Sequence, residues 1–172
     1  MQLPQLPKQT VIALIFEGHT MQVLNKEVNK GEMLQWVTFK LDTKTYGVPV
    51  SKVFEIIMLT DLTPVPGSPI DILGVLTLQG EIISVLDIRP KLGLKTTQST
   101  HTSRIIIVDQ NSQQVGILVE SVAEVVAYNS AYIVSSLQVD GTTPNQLFTG
   151  VINQNNNLLT LLNLDKLIQQ YK

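Results

Sequence analysis

From Trp36 onward, the apolar residues occur in short runs separated by turn-forming residues. Residues 36–41 form one such run, the polar residues 42–45 follow it, and residues 46–50 form a second run. Two β-branched or aromatic runs on either side of a short polar segment are typical of a β-hairpin.

Similar strand-like runs recur along the rest of the chain. They are short and rich in β-branched residues or leucine, and they lie at 82–86, 105–108, 114–119 and 158–162. This pattern predicts a mainly β protein.

Helical signals are confined to three places. Pro69 suits a first helical turn, residues 87–92 form a second candidate, and Asn163 can cap a terminal helix. We therefore predict short helices near 69–73, 87–92 and 163–171. None of them is long enough to build a helical bundle.

The chain contains an internal repeat. When Gly47 is placed over Gly116, 69 residues later, the apolar positions after the two glycines coincide, and Glu55 falls on Glu124. When Gly74 is instead placed over Gly150, the offset is 76 residues, and the strand-like runs that follow also match. The second copy therefore carries about seven additional residues in its middle.

The two copies, about 36–95 and 103–170, are each too small to bury a generous core alone. We therefore expect them to share an interface as two small paired barrels. Residues 1–34 lie outside both copies and form an N-terminal extension, in which the polar stretch 25–32 is typical of a linker.

Composition excludes several classes of protein. The 12 Lys and Arg residues against 14 Asp and Glu residues give a net charge of −2, without a basic patch for nucleic acid. Cysteine is absent, which excludes disulfides and thiolate chemistry. Residues 11–16 are too short to span a bilayer and lack a signal-peptide cleavage site, so we expect a cytoplasmic protein without membrane insertion.

No catalytic constellation is recognisable in the sequence. His19 and His101 lie in polar segments without a neighbouring acid, base or metal ligand, and Asp87 with Arg89 is best explained as an ion pair or helix cap. We predict no enzymatic activity, no cofactor and no metal.

The equivalent glycines Gly47 and Gly116 indicate a requirement of the shared fold, such as a bulge or a close backbone approach. The apolar residues after them exceed what one half-buried strand can hide. They are either core or partly exposed for a partner, and they are Val50, Val53, Ile56, Ile57 and their equivalents Val119, Val122, Val125 and Val126.

Two segments carry a resemblance to a known family. Residues 39–56, with Phe39, Tyr46, Gly47 and Val53 in order, closely resemble the first hairpin of CheW-like domains. Residues 69–89 resemble the family stretch G-V-x-N-L-R-G-x-I-x-P-I-V-D-L-R without gaps. The resemblance extends from about Trp36 to Leu167, and it implies a CheW-like domain over 35–172.

This resemblance implies two SH3-like five-stranded β-barrels packed around a shared core, with a groove between them. It also implies a non-enzymatic signalling adaptor that binds the regulatory domain of a CheA-type histidine kinase and the cytoplasmic tip of a methyl-accepting chemoreceptor. The family's binding positions fall on Val53, Glu55, Gly74, Gln79, Gly116, Val122 and Val125.

The main departure from the family is Gln79, where arginine is typical, with Thr77 in place of asparagine and Ser84 in place of proline. Gln79 removes a fixed charge but keeps hydrogen-bonding capacity, so we expect a change in receptor preference. An adaptor of a paralogous system that controls type IV pilus motility is an alternative. A small-molecule-binding β-barrel is a more remote one.

Overall fold

The computed structural model describes residues 15–17, 20–22, 33–135 and 146–171. The N-terminal strands are β1 (Ile15–Glu17) and β2 (Thr20–Gln22). The first copy of the repeat contributes β3 (Met33–Leu41), β4 (Lys44–Pro49), β5 (Val53–Met58), β6 (Ile72–Leu78) and β7 (Glu81–Leu86). The second contributes β8 (Arg104–Gln110), β9 (Gln113–Val119), β10 (Ser121–Asn129), β11 (Val134–Ser135), β12 (Phe148–Gln154) and β13 (Asn157–Leu162). The prediction of a mainly β protein is confirmed.

The strands form two sheets, each the basis of a small SH3-like barrel. In the sheet of the first barrel, the order is β1-β2-β5-β8-β9-β7-β6, and in the sheet of the second barrel it is β10-β3-β4-β13-β12-β11. Each barrel therefore has five principal strands, as the family resemblance implies.

The barrels do not coincide with the two copies of the repeat. The β8–β9 hairpin of the second copy completes the first barrel, and the β3–β4 hairpin of the first copy completes the second. Two parallel strand pairings make this exchange of hairpins between the copies. Strand β7 pairs with β9, with Val85 opposite Gly116, and β13 pairs with β4, with Thr160 opposite Tyr46. Because each barrel needs strands from both copies, neither copy can complete a barrel alone.

Several strands are buried on both faces, because one face lines a barrel and the other lies between the barrels. In β8, Ile105 and Ile107 belong to the interior of the first barrel, whereas Ile106 and Val108 belong to the core between the barrels. Successive side chains of a strand point to opposite faces, so this arrangement explains a run of consecutive apolar residues. The interior of the second barrel is built around Trp36, Val126, Ile152, Leu159 and Leu161.

The C-terminal helix closes one side of the core between the barrels. Helix α1 (Leu164–Ile168) is capped by Asn163, whose side-chain oxygen accepts from the Lys166 amide, and a 3-10 turn over Gln169–Tyr171 follows. Lys91 donates to the Leu167 carbonyl at 2.9 Å. The helix predicted over 163–171 is therefore confirmed.

The other two predicted helices, near 69–73 and 87–92, are wrong. At 69–73 the Ile72 amide bonds the Pro69 carbonyl in a single turn, because Ile72 already begins strand β6. At 87–92 the Leu92 amide closes one turn on Ile88 and Arg89. Pro90 has no amide hydrogen with which to extend that turn.

Two short strands lie in the N-terminal extension. Strand β2 pairs with β1 and also with β5, through Thr20 opposite Ile57 and Met21 opposite Ile56. Strand β3 begins at Met33, so the sheet starts slightly before the predicted boundary at residue 34. His19 and the polar stretch 25–32 lie outside the described residues.

Candidate functional site

Each copy of the repeat has a quartet of apolar residues, and these are Val50, Val53, Ile56 and Ile57 in the first copy and Val119, Val122, Val125 and Val126 in the second. Both quartets are core except at one equivalent position in each. In these quartets Val50, Ile56, Ile57, Val119, Val125 and Val126 are buried. Val53 and Val122 are half-buried, and both pack against the rim of the core between the barrels. The two valines therefore reach the surface where the barrels meet, and they are the members of the quartets that a partner could contact.

Glu55 has a half-buried side chain next to Val53. It lies after a bulge in β5 and opposite Ile107. Its Oε2 atom is buried and has no hydrogen-bond partner among the described residues. A buried carboxylate oxygen without a donor is energetically costly.

Three of the predicted binding residues are buried, namely Gly74, Gly116 and Val125. A Cβ atom at Gly116 would lie 2.8 Å from Cγ2 of Ile105, inside the first barrel, and one at Gly74 would lie 2.7 Å from the Thr63 carbonyl oxygen. Such distances are too short for a real side chain. The glycines are therefore needed for close packing, and direct contact with a partner is not available at these three positions in this structure.

Among the seven predicted residues, only Gln79 is exposed. With Gly80 it forms the two-residue turn between β6 and β7, and their φ angles are 51° and 87°. The side chain of Ile82, just beyond the turn, is 74% exposed. This hairpin tip therefore presents an amide beside an aliphatic group.

Sequence reasoning missed a broad concave surface of the first barrel. It is a groove of about 1380 Å³ at the first barrel, and none of the seven predicted residues lines it. Its walls include the exposed Met58, Ile70 and Leu73 and the half-buried Leu59 and Leu62. The sequence did carry one signal of this groove, because residues 59–73 contain many apolar residues among prolines and a glycine. The composition of this segment otherwise resembles that of an ordinary surface loop.

The predicted ion pair between Asp87 and Arg89 is present and lies beside this groove. Both residues are buried, and the carboxylate of Asp87 accepts from the Arg89 amide, Nε and Nη2 at 2.8–3.0 Å. The hydrogen bonds to Asp87 raise the pKa of Arg89, although burial opposes them, and Glu120 adds to the rise. Because the two charges satisfy each other, the groove offers a mainly apolar surface.

Within the described ranges, no group of three or more histidine, aspartate or glutamate side chains has a geometry that could hold a metal ion. His101 is exposed in a turn, where its carbonyl accepts from Arg104. None of the helices in this part of the chain is both long enough and apolar enough to cross a membrane.

Comparison with known proteins gives consistent results. The family model described as "CheW-like domain" matches residues 35–172. Chemotaxis protein CheW of Helicobacter pylori is 26% identical over 146 residues, which cover 85% of this chain and 88% of the relative. Chemotaxis protein CheW of Treponema pallidum is 28% identical over 140 residues, which cover 79% of this chain and 82% of the relative.

The fold also matches a solved structure. The crystal structure of scaffolding protein TtCheW from Thermoanaerobacter tengcongensis superposes with a TM-score of 0.73 at 27% identity, and the match covers 79% of this chain and 92% of that one. The family model spans well over half of the sequence, from Gln35 in β3 to beyond the C-terminal helix. The chain belongs to the CheW-like domain family.

Proposed function

We propose that this protein is a non-enzymatic adaptor of the cytoplasm that couples chemoreceptor tips to the regulatory domain of a CheA-type histidine kinase. The observation that carries this proposal is the family match over residues 35–172. The names of the relatives, chemotaxis protein CheW and scaffolding protein TtCheW, support the same role.

The surface of the molecule suits docking by other proteins. Val53 and Val122 reach the surface at the junction of the barrels, and the groove at the first barrel adds exposed Met58, Ile70 and Leu73. Exposed apolar residues that are grouped in this way are typical of protein interaction sites. A receptor tip and a kinase domain could therefore use separate surfaces.

The exchange of hairpins between the barrels supports a mechanical role. Because each barrel contains strands from both copies, the two barrels are tied together and would move as one body. An adaptor of this kind has no reaction to catalyse. It holds receptor and kinase in a fixed geometry, so that a change in the receptor biases the conformational equilibrium of the kinase.

Binding of the purified partners tests the proposal. We expect the wild type to bind both the kinase regulatory domain and the receptor tip in calorimetric titrations, and Val53→Asp to weaken at least one of them roughly tenfold or more. Val134→Asp is the matched control, because Val134 is 45% exposed on the edge strand β11. Unchanged thermal melting of Val53→Asp must accompany the loss. The proposal fails if the wild type binds neither partner.

Gln79 tests which partner uses the β6–β7 tip. We expect Gln79→Arg to change receptor affinity and to leave kinase affinity near that of the wild type, because the substitution adds a charge at an exposed turn. Equal receptor affinity of both forms would remove Gln79 from the receptor surface.

A further inference from the structure

The mouth of the second barrel is a polar groove that the proposed function does not use. Along β3, Trp36 lies in the barrel interior, and Thr38 and Lys40 follow at alternate positions towards the mouth. The β3–β4 hairpin and the β12–β13 hairpin form its walls, because β4 and β13 pair in parallel with Thr45 opposite Leu159. The groove has a volume of about 610 Å³.

Two lysines line one wall of this groove, and asparagine side-chain amides line the other. Lys40 and Lys44 are both exposed, and neither lies in an ion pair with any described residue. The opposite wall is the β12–β13 turn, with the exposed side chains of Asn155, Asn156 and Asn157. Lysine and asparagine side chains both present N–H donors.

One carboxylate, Glu124, also lines the groove. The Thr38 hydroxyl donates to the Glu124 carbonyl at 2.9 Å and accepts from its amide at 3.2 Å, which holds the backbone of β10 in place. The Glu124 side chain is exposed and forms no ion pair with either lysine. The lysines therefore keep their charges available.

The equivalent residues of the first barrel show that the fold does not require lysines and asparagines at these positions. The position of Lys40 is taken there by Asp109 and that of Lys44 by Gln113, each 69 residues later, while Asn157 corresponds to Glu81. Glu124 corresponds to Glu55. The equivalent positions of the first barrel thus carry Asp109, Glu81 and Glu55, whereas those of the second carry Lys40, Asn157 and Glu124.

We propose that the mouth of the second barrel is a docking site for an acidic segment of a protein partner. The carboxylates of that segment would receive charge-assisted hydrogen bonds from Lys40 and Lys44, and the asparagine amides would bind its main chain. Nucleic acid fits less well, because the chain as a whole is acidic and its basic residues form no extended stripe.

A peptide of alternating glutamate and alanine, carrying a fluorescent label, is the probe for this site. Its binding to the full chain is followed by anisotropy, beside the same peptide with glutamine in place of glutamate. We expect the glutamate peptide to bind roughly tenfold more tightly or better, with an affinity that falls as salt is raised. NMR amide shifts should locate the bound peptide at Lys44 and Asn157.

The double variant Lys40→Gln/Lys44→Gln should lose at least roughly tenfold in affinity. Lys95→Gln/Lys166→Gln is the matched control, because these lysines are also exposed and the change in net charge is the same. All four positions are on the surface, so the variants should fold, which thermal melting verifies. The control pair should bind like the wild type.

Several results would overturn the proposal. They are equal losses in both double variants, equal binding of the two peptides, no binding, or tighter binding of a single-stranded oligonucleotide. Salt-sensitive self-association that disappears in Lys40→Gln/Lys44→Gln would also overturn it, because the occupant would then be the acidic mouth of a second copy. Binding of the kinase and receptor is measured separately, so failure here leaves the proposed adaptor function untouched.

Discussion

Gln79 and Asn155 occupy the same position in equivalent two-residue hairpin turns, and their φ angles are 51° and 50°. The other non-glycine residues with positive φ among the described residues are asparagine, aspartate and serine, at Asp42, Asn111, Ser112 and Asn156. Asparagine tolerates this left-handed conformation far better than glutamine. Gln79 therefore adopts a backbone conformation that glutamine disfavours, and we infer that its side chain has a role.

Two single substitutions, Gln79→Asn and Asn155→Gln, test that role. We expect Gln79→Asn to raise the free energy of unfolding by about 0.5–1 kcal/mol and to weaken partner binding, because the turn relaxes while the longer side chain is lost. Asn155→Gln should lower stability by a similar amount without affecting the β6–β7 tip. Denaturant titration and calorimetry measure both effects. Full partner affinity in a stabilised Gln79→Asn variant would show that the side chain has no such role.

The two barrel-lining glycines should differ in their tolerance of a methyl group. A Cβ at Gly116 would lie 2.8 Å from Ile105 and 3.1 Å from Val85, whereas at Gly47 the nearest atoms are at 3.3 Å. We expect Gly116→Ala to cost about 1–3 kcal/mol of stability through overpacking, and Gly47→Ala to cost clearly less. Urea unfolding of the two variants measures the difference. The packing argument is wrong if the order is reversed.

Removal of one side chain from the buried ion pair Asp87–Arg89 should lower the free energy of unfolding strongly. Arg89 is 5% exposed, and its charge is neutralised by Asp87 at 2.8 Å. We expect Asp87→Ala to cost about 3–5 kcal/mol, since a buried guanidinium would lose its main counter-charge. Glu120→Gln is the control and should cost less than about 1 kcal/mol, because Glu120 is partly exposed and lies 3.4 Å from Arg89. Similar losses in both variants would contradict this account.

We expect the buried phenol of Tyr46 to make the protein less stable at alkaline pH. Burial raises the pKa of its phenol above the ordinary value of 10.0, and the nearby Asp42 raises it further. The folded chain therefore keeps a proton that the unfolded chain releases, and stability falls as the pH rises from about 10 towards the folded pKa.

Tyr46→Phe removes this contribution, so its free energy of unfolding should fall less steeply than that of the wild type above about pH 10, by up to about 1.4 kcal/mol per pH unit. Denaturant titrations at several pH values from neutral to strongly alkaline measure the slopes. Parallel curves for the two proteins would mean that Tyr46 does not contribute.

The sequence allowed prediction of the strands, the repeat and the family, because these depend on local pattern and motif. The exchange of hairpins was not predictable, since it depends on which distant strands pair, such as β7 with β9, and neither strand's own sequence specifies its partner. The assignment of Val53 and Val122 to the surface also needed the structure. Each valine directly precedes a bulge in its strand, where the alternation that separates core from surface residues is interrupted.

The apolar groove was missed for a related reason. Its residues Leu59, Leu62 and Ile70 belong to a segment rich in proline and turns, where no periodicity indicates which side chains face each other. The opposite charges of Lys40 and Asp109 could have been read from the repeat itself, by setting one against the other. Only the structure showed that Lys40 lines a groove.

The central claim is that the protein bridges a receptor and a kinase, and co-sedimentation tests it most directly. Membranes carrying the chemoreceptor are mixed with the CheA-type kinase, with or without this protein, and the kinase in the pellet is measured. We predict that kinase sediments with the membranes in proportion to the added wild-type protein, and much less with Val53→Asp. Kinase recovery that does not depend on the wild-type protein would contradict the account.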